Sequence, residues 1–507
     1  MHAIWFMVTA LCVLAIAYRY YSAFVAAKVL ALDPKRQTPA HAHNDGQNYH
    51  PTNRWVLFGH HFAAITGAGP LVGPVLAAQF GFLPGYLWIL VGVVLGGAVH
   101  DFVILASSVR RNGRSLADIA RTELGPVVGV VAGIAILFIV VIALAGLGRV
   151  VVGALAESSW GVFTIGISIP LALAMGLYIY KVRGGSIRGV REATVVGVAV
   201  LLLAVVFGKD VGLSSIGPML KLSEHEVTAG IAGYGFLASV LPVWMLLCPR
   251  DYLSSYLKIG TILALVLGII IVNPLIEMPF LNDVTAHAIN VATSTGAETF
   301  QPVVKGSLFP FVFITIACGA ISGFHGLVSS GTTPKMVNSE LDCRVIGYGA
   351  MLMEGLVGIT ALLAATALPP ADYFAINTDP QIALVGSPGV VDDAHALDAL
   401  DAHDRALLGD GQTAKLSKVL HLSNAGLHAL GFHVNVDDEN AAELTTADFA
   451  RLGIQVTDLP ALSAATDEVT ASRTGGAVSL AVGMARVFSG IVGNKSWLAY
   501  WYHFAIM

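Results

Sequence analysis

Ten apolar stretches recur along this chain, at about 4–30, 56–80, 84–107, 126–156, 159–180, 192–208, 229–248, 259–277, 307–331 and 346–368. Each is close to the ~20 residues that cross the hydrocarbon core of a bilayer. Inside lipid the backbone must satisfy its own hydrogen bonds, so the pattern predicts an all-α polytopic membrane protein of about 10–12 transmembrane helices. Composition agrees. Of 507 residues, 55% are hydrophobic and 12% charged, with a mean hydropathy of +0.73, whereas soluble domains are roughly a quarter charged. The first stretch lacks a basic start and a small-residue cleavage site, so it reads as a retained helix and not as a signal peptide. Cys12, Cys248, Cys318 and Cys343 lie in or beside apolar segments without metal-ligand spacing, as isolated buried thiols do.

Orientation follows from the loops. Basic residues cluster at Lys28 to Arg54, at Arg110, Arg111, Arg114 and Arg121, at Lys181 to Arg191, at Arg250 to Lys258 and at Lys335 to Arg344. These fall on every second connection, so the positive-inside rule assigns all five to the cytoplasm and the N-terminus to the outside. The stretch at 370–475 then lies outside as a hydrophilic insert rich in Asp, Ala, Asn and Thr. Its helix-compatible runs, Asp401 to Leu408 and Thr413 to His421, and its LGFHV and LGIQV pieces predict a small folded cap. The expected organisation is a helical bundle over 1–369, the extracytoplasmic insert over 370–475, and further membrane segments over 476–507.

Residues 59–74, GHHFAAITGAGPLVGP, place glycines and prolines at membrane depth. The freed backbone groups of such a break are tolerated only against protein or a polar cavity, and discontinuous helices are where secondary transporters bind substrate and coupling ion. Five helices later, YGFLASVLPVWMLLCPRDY carries Pro242 and Pro249 in the opposite orientation. Paired broken helices of opposite sense are what LeuT-like inverted repeats contain; the alternative is that prolines are simply common in membrane helices. A third interrupted segment is CGAISGFHGLVSSGTTPK at 318–335.

Several side chains are candidates for chemistry. His60 and His61 precede the first break, where an imidazole could bind a carboxylate or relay a proton or form an interfacial pair. Thr66, Gly67, Ala68 and Gly69 would line a substrate site, with the amides of Ala68, Gly69 and Leu71 offered at a half-helix N-terminus that favours anions. Glycines there could instead serve close helix packing. Ser322, His325 and Ser329 share one helical face, at i, i+3 and i+7, and Ser330 adjoins them; a pathway and interhelical hydrogen bonds are both open. Glu354 sits mid-segment and is a candidate proton carrier, since a carboxyl withdrawn from water favours its neutral form. His100 and Asp101 end the third segment as a proton-coupling pair, unless Asp101 only pairs with Arg110, Arg111 or Arg114. Arg149 would bind a carboxylate or snorkel outward, and Arg250 and Asp251 would form a local salt bridge.

At GHHFAAITGAGPLVGP, HDF (100–102), LPVWMLLCPRDYLSSYLK (241–258), CGAISGFHGLVSSGTTPK and RTGGAVSLAVGMA (473–485), the chain resembles the carbon starvation protein A (CstA) family of bacterial inner-membrane transporters. The resemblance spans nearly the whole sequence. It implies uptake of pyruvate or small peptides, coupled to protons, during nutrient limitation, and a LeuT-like fold. Family members usually continue through several more helices, whereas this sequence stops at WLAYWYHFAIM, as a fragment or shortened form would. Residues 476–492 are short and carry Arg486, as in a re-entrant or interfacial helix. The function expected is therefore a proton-coupled symporter whose partners are a small substrate, protons and the bilayer. Neither a cofactor, a metal, nucleic acid nor an enzymatic role is expected. A membrane sensor using the 370–475 insert is the alternative; it would need an output domain, and the inside loops are short. A metalloenzyme built on His60, His61, His100 and Asp101 has weaker support, because no HExxH-type ligand set occurs.

Overall fold

The computed structural model describes residues 1–45, 48–184, 186–241, 245–281, 289–293, 296–300, 308–368, 373, 376–377, 476–492 and 498–506. Nearly all of the 370–475 segment, and with it the expected cap, lies outside the described residues. Tyr373 and Asn377 belong to the bundle instead: the Tyr373 hydroxyl donates to the carbonyls of Val75 at 2.7 Å and Leu76 at 2.9 Å, and Asn377 donates to Ser479.

The protein is an all-α polytopic membrane fold, with one small hairpin (β1, Ile289–Thr293; β2, Gly296–Phe300) outside the helices. The helices are α1 (Ala3–Val29), α2 (Arg54–Ile65), α3 (Gly69–Phe80), α4 (Phe82–Val109), α5 (Leu116–Leu124), α6 (Pro126–Leu155), α7 (Ser159–Val182) and α8 (Ile187–Gly212). They continue as α9 (Glu224–Val240), α10 (Leu247–Val272), α11 (Leu308–Thr315), α12 (Ala317–Ala320), α13 (Gly323–Ser329), α14 (Arg344–Thr366), α15 (Ala477–Val492) and α16 (Leu498–Ile506). Among the described residues six are long and apolar enough to cross a bilayer, and the α2–α3 pair adds a seventh, bent by 48°. That is fewer than the ten apolar stretches. The 307–331 stretch is cut into three short helices, and α9 is only 17 residues long. In α10 the apolar part is confined to Tyr256–Val272.

Local sequence sets these boundaries. Asn53 accepts from the Trp55 amide at the start of α2, and Ser223 with Glu226 forms a reciprocal capping box on α9, as orphaned first-turn amides require. The seventh apolar stretch does not run through Pro242: α9 stops at Val240, and Pro249 falls in the first turn of α10. There proline is tolerated because first-turn amides have no helical acceptor. Pro242 itself, and with it the proposed inverted counterpart of the first break, lies outside the described residues.

Helix α14 is the axis of the bundle and packs against α1, α2, α3, α4, α10 and α15. Glycines permit the close approach. A Cβ on Gly355 would meet the Val93 side chain at 2.7 Å, and one on Gly483 would collide with the Ala364 carbonyl. Helix α15 is thus a packed element of the core, with Val478, Ala481, Ala485 and Phe488 buried. Three of the five basic loops meet at one end of the bundle. Arg36 and Arg110 both pair with Glu340, and Thr52 bridges to Val337. Met1, Gly81, residues 273–281 and Thr366 gather at the other end.

Candidate functional site

Two interrupted helices lie antiparallel against each other at the core. The first breaks between Ile65 and Gly69, where Thr66 leaves the helical region with φ −80°, ψ 74°. The second breaks at Ile321, which is extended with φ −157°, ψ 103°. Their contact is close because Gly69 has no side chain: a Cβ there would meet the Cys318 thiol at 2.6 Å, and one on Gly73 would collide with the Thr315 carbonyl. Close packing therefore does account for Gly69 and Gly73. Of the three amides expected at this half-helix N-terminus, that of Leu71 is engaged by the Ala68 carbonyl at 3.2 Å.

Below the breaks runs a chain of titratable groups drawn from α4, α13 and α14. Nδ1 of His100 lies 2.8 Å from Oδ1 of Asp101, and Oδ2 of Asp101 lies 3.0 Å from Nδ1 of His325. Nε2 of His325 then faces Oε2 of Glu354 at 3.2 Å. The side chains of Asp101, His325 and Glu354 are all 0% exposed, whereas that of His100 is 29% exposed. So the chain links a partly open imidazole to a carboxyl sealed in the core. Gly347 lets it assemble, since its backbone sits where a Cβ would meet the Phe102 backbone at 2.8 Å. With His325 charged, two carboxylates and one imidazolium leave a net charge of −1, and one added proton makes the cluster neutral. In a medium where uncompensated charge is expensive, such a cluster can take up and release one proton.

The expected site residues divide accordingly. His325, Glu354, His100 and Asp101 come together; Asp101 serves the two histidines, while Arg110 pairs with Glu340 and Arg111 with Glu123. His61 is buried beside this cluster, its Nδ1 3.0 Å from Thr333 Oγ1, whereas His60 is half-buried. Ser322, Ser329 and Ser330 are buried, but α13 begins only at Gly323, with Ser322 extended before it and Ser330 beyond its end, so the break at Ile321 takes Ser322 off the helical face that spacing alone assigned it. Ser330 is engaged structurally, accepting from the Leu116 amide at 3.1 Å and donating to the Gly326 carbonyl at 2.7 Å. Arg149 pairs with Glu224 at 2.6 Å on an exposed face, which removes it as a carboxylate ligand. Arg250 lies over the Tyr234 ring at 4.4 Å; the Asp251 side chain lies outside the described residues.

Lys258 is the residue that sequence reasoning misplaced. Counted with a basic loop, it instead lies inside α10, and its Nζ donates to the carbonyls of Ala63 at 3.1 Å and Thr66 at 2.5 Å. These are carbonyls freed by the end of α2. A lysine twelve positions into a helix that becomes apolar at Tyr256 was the available signal. At the break, Ala68 with Gly69, Val72 and Gly73 of α3 faces Gly146 and Val150 of α6 and Thr315 and Cys318 across an open, mainly apolar cleft of ≈ 340 Å³. Thr66 and Gly67 do not line it. A volume of this order suits a small organic ligand.

At the basic end, burial pushes the Glu340 carboxyl up, but the Asp33 amide and the guanidinium groups of Arg110 and Arg36 outweigh it and hold the group below its ordinary range.

The sequence profile described as "Carbon starvation protein CstA" matches residues 2–403 and 418–507. The chain is 44% identical over 506 residues to the "Pyruvate/proton symporter BtsT" of Escherichia coli, covering all of this chain and 64% of that protein. It is 43% identical to the "Peptide transporter CstA" of Bacillus subtilis and 44% identical to that of E. coli, covering 71% and 64% of their lengths. The chain thus spans about two thirds of the relatives it matches. No solved structure matches it.

Proposed function

The chain belongs to the carbon starvation protein CstA family, and on that footing we propose that it carries the transport core of a proton-coupled uptake system for a small carboxylate such as pyruvate, or for short peptides. The membrane is the bacterial cytoplasmic membrane, with the Glu340 end inside. The observation that carries this reading is the continuous chain His100, Asp101, His325, Glu354, beside a cleft formed where two broken helices meet. Substrate enters the cleft at Gly69 and Cys318; a proton passes through Asp101 and His325 to Glu354; neutralisation of the cluster favours repacking of α13 against α14. Discontinuous helices hold their coupling cation at half-helix carbonyls. Here those carbonyls receive the ammonium of Lys258, a cation fixed to the protein, which supports coupling to protons and not to sodium.

Reconstitution in liposomes, with labelled pyruvate and a labelled dipeptide as alternative substrates, tests the proposal. Uptake of one of them should saturate, rise with an inward proton gradient, and be indifferent to replacing sodium by potassium. Absence of saturable uptake of either, or a sodium requirement, contradicts it.

A further inference from the structure

The Sγ of Cys318, the Nε2 of His325 and a carboxylate oxygen of Glu354 converge within 4.8 Å of one another, from three separate helices. Oε2 of Glu354 is 3.2 Å from Nε2, and its Oε1 is 3.9 Å from Sγ. Around a tetrahedral zinc ion with bonds of 2.0–2.3 Å, neighbouring ligand atoms stand roughly 3.3–3.6 Å apart; the nitrogen-to-oxygen separation of 3.2 Å is near that spacing, and the three ligand atoms, all within 4.8 Å, would draw together around an ion. Nε2 of His325 and Oε2 of Glu354 are fully buried and face each other at 3.2 Å without good hydrogen-bond geometry. A shared cation between them would satisfy both with better geometry.

The surroundings reinforce the ligand set. Nδ1 of His325 is held by Asp101 at 3.0 Å, and Asp101 is held in turn by His100 at 2.8 Å. A carboxylate behind a ligating imidazole orients the ring and strengthens it as a donor. Thiolate and carboxylate together offset a dication, leaving His325 neutral, and a mixed sulfur, nitrogen and oxygen set selects the zinc class over magnesium or calcium. Three protein ligands leave one coordination position open. Cys318 also lines the cleft at the break, which gives an ion its approach.

We propose that Cys318, His325 and Glu354 form a binding site for a zinc-class divalent cation. Binding releases the Cys318 thiol proton, and any proton held between His325 and Glu354, to solvent; the ion and the coupling proton are therefore mutually exclusive. Occupancy would lock α12, α13 and α14 together.

The test is metal binding by the purified full chain, which requires no transport and is thus separable from the uptake experiment. Equilibrium dialysis against Zn²⁺ alone should show one saturable equivalent more in the unmodified protein than in Cys318→Ser. Co²⁺ should give a thiolate-to-metal charge-transfer absorption that Cys318→Ser abolishes, and Asp101→Asn should weaken binding by about 10–100-fold. Equal zinc stoichiometry and affinity with and without Cys318 would overturn the proposal. So would a Co²⁺-saturated unmodified protein without that absorption, a result that needs no variant to fold.

Discussion

Helices Arg344–Thr366 and Pro126–Leu155 are both long enough to cross a bilayer, yet 89% of the most apolar part of the first is buried and only 6% of the second. The more apolar helix is the exposed one. Pro126–Leu155 presents Val127, Leu137 and Phe138 outward, as a lipid-facing helix with no polar stripe should. Arg344–Thr366 instead carries Glu354, Thr360 and Thr366, all buried, with glycines at its closest crossings. In a membrane protein, lipid is as apolar as leucine, so burial is signalled by small and polar residues and not by hydrophobicity. Glu354, the buried end of the titratable chain, sits on the helix that obeys this rule.

Substitutions of glycine should break the comparison most visibly. A Cβ on Gly355 of the buried helix would meet the Val93 side chain at 2.7 Å and has no room; Gly355→Ala should cost about 1–3 kcal/mol. Gly133→Ala, with nothing within 4 Å, should stay within about 0.5 kcal/mol. Thermal unfolding in detergent checks both, and equal losses would mean that the two helices are not differently packed.

The fold was legible in outline from bilayer-length apolar runs and alternating basic loops. Its details were not, for identifiable reasons. Lys258 was misfiled because a charge near a helix start resembles a loop charge; only the third dimension shows the carbonyls of Ala63 and Thr66 opposite it. Glu354 was readable as an ionisable residue at membrane depth and Asp101 only as one of a pair ending the third segment, and their bridging by His325 joins positions 224 and 29 residues apart. Cys318 looked inert because its co-ligands are on other helices. The break at Gly67 to Pro70 was legible, and so was the interruption between Cys318 and Lys335, since glycine and proline act locally.

A smaller effect belongs to the basic end of the buried helix. Because Glu340 is held below its ordinary value of 4.5, its contribution to stability is whole above that pH and is lost as pH falls through the lower folded value. Acidification below about pH 4.5 should lower the unfolding temperature of the unmodified protein more than that of Glu340→Gln. A parallel decline of the two would place the acid sensitivity elsewhere. The smallest effect is expected on the exposed helix: Arg149→Ala removes an exposed ion pair with Glu224, worth at most about 1 kcal/mol. It should leave saturable uptake unchanged; a large loss there would return Arg149 to the site.

The central claim is that Glu354 is the buried terminus of a proton path. Glu354→Gln keeps the shape of the side chain and removes its titratable carboxyl, so proteoliposomes should lose uptake driven by a proton gradient while retaining exchange of labelled for unlabelled substrate. Equal loss of gradient-driven uptake and exchange in a folded variant, or retention of both, would contradict it.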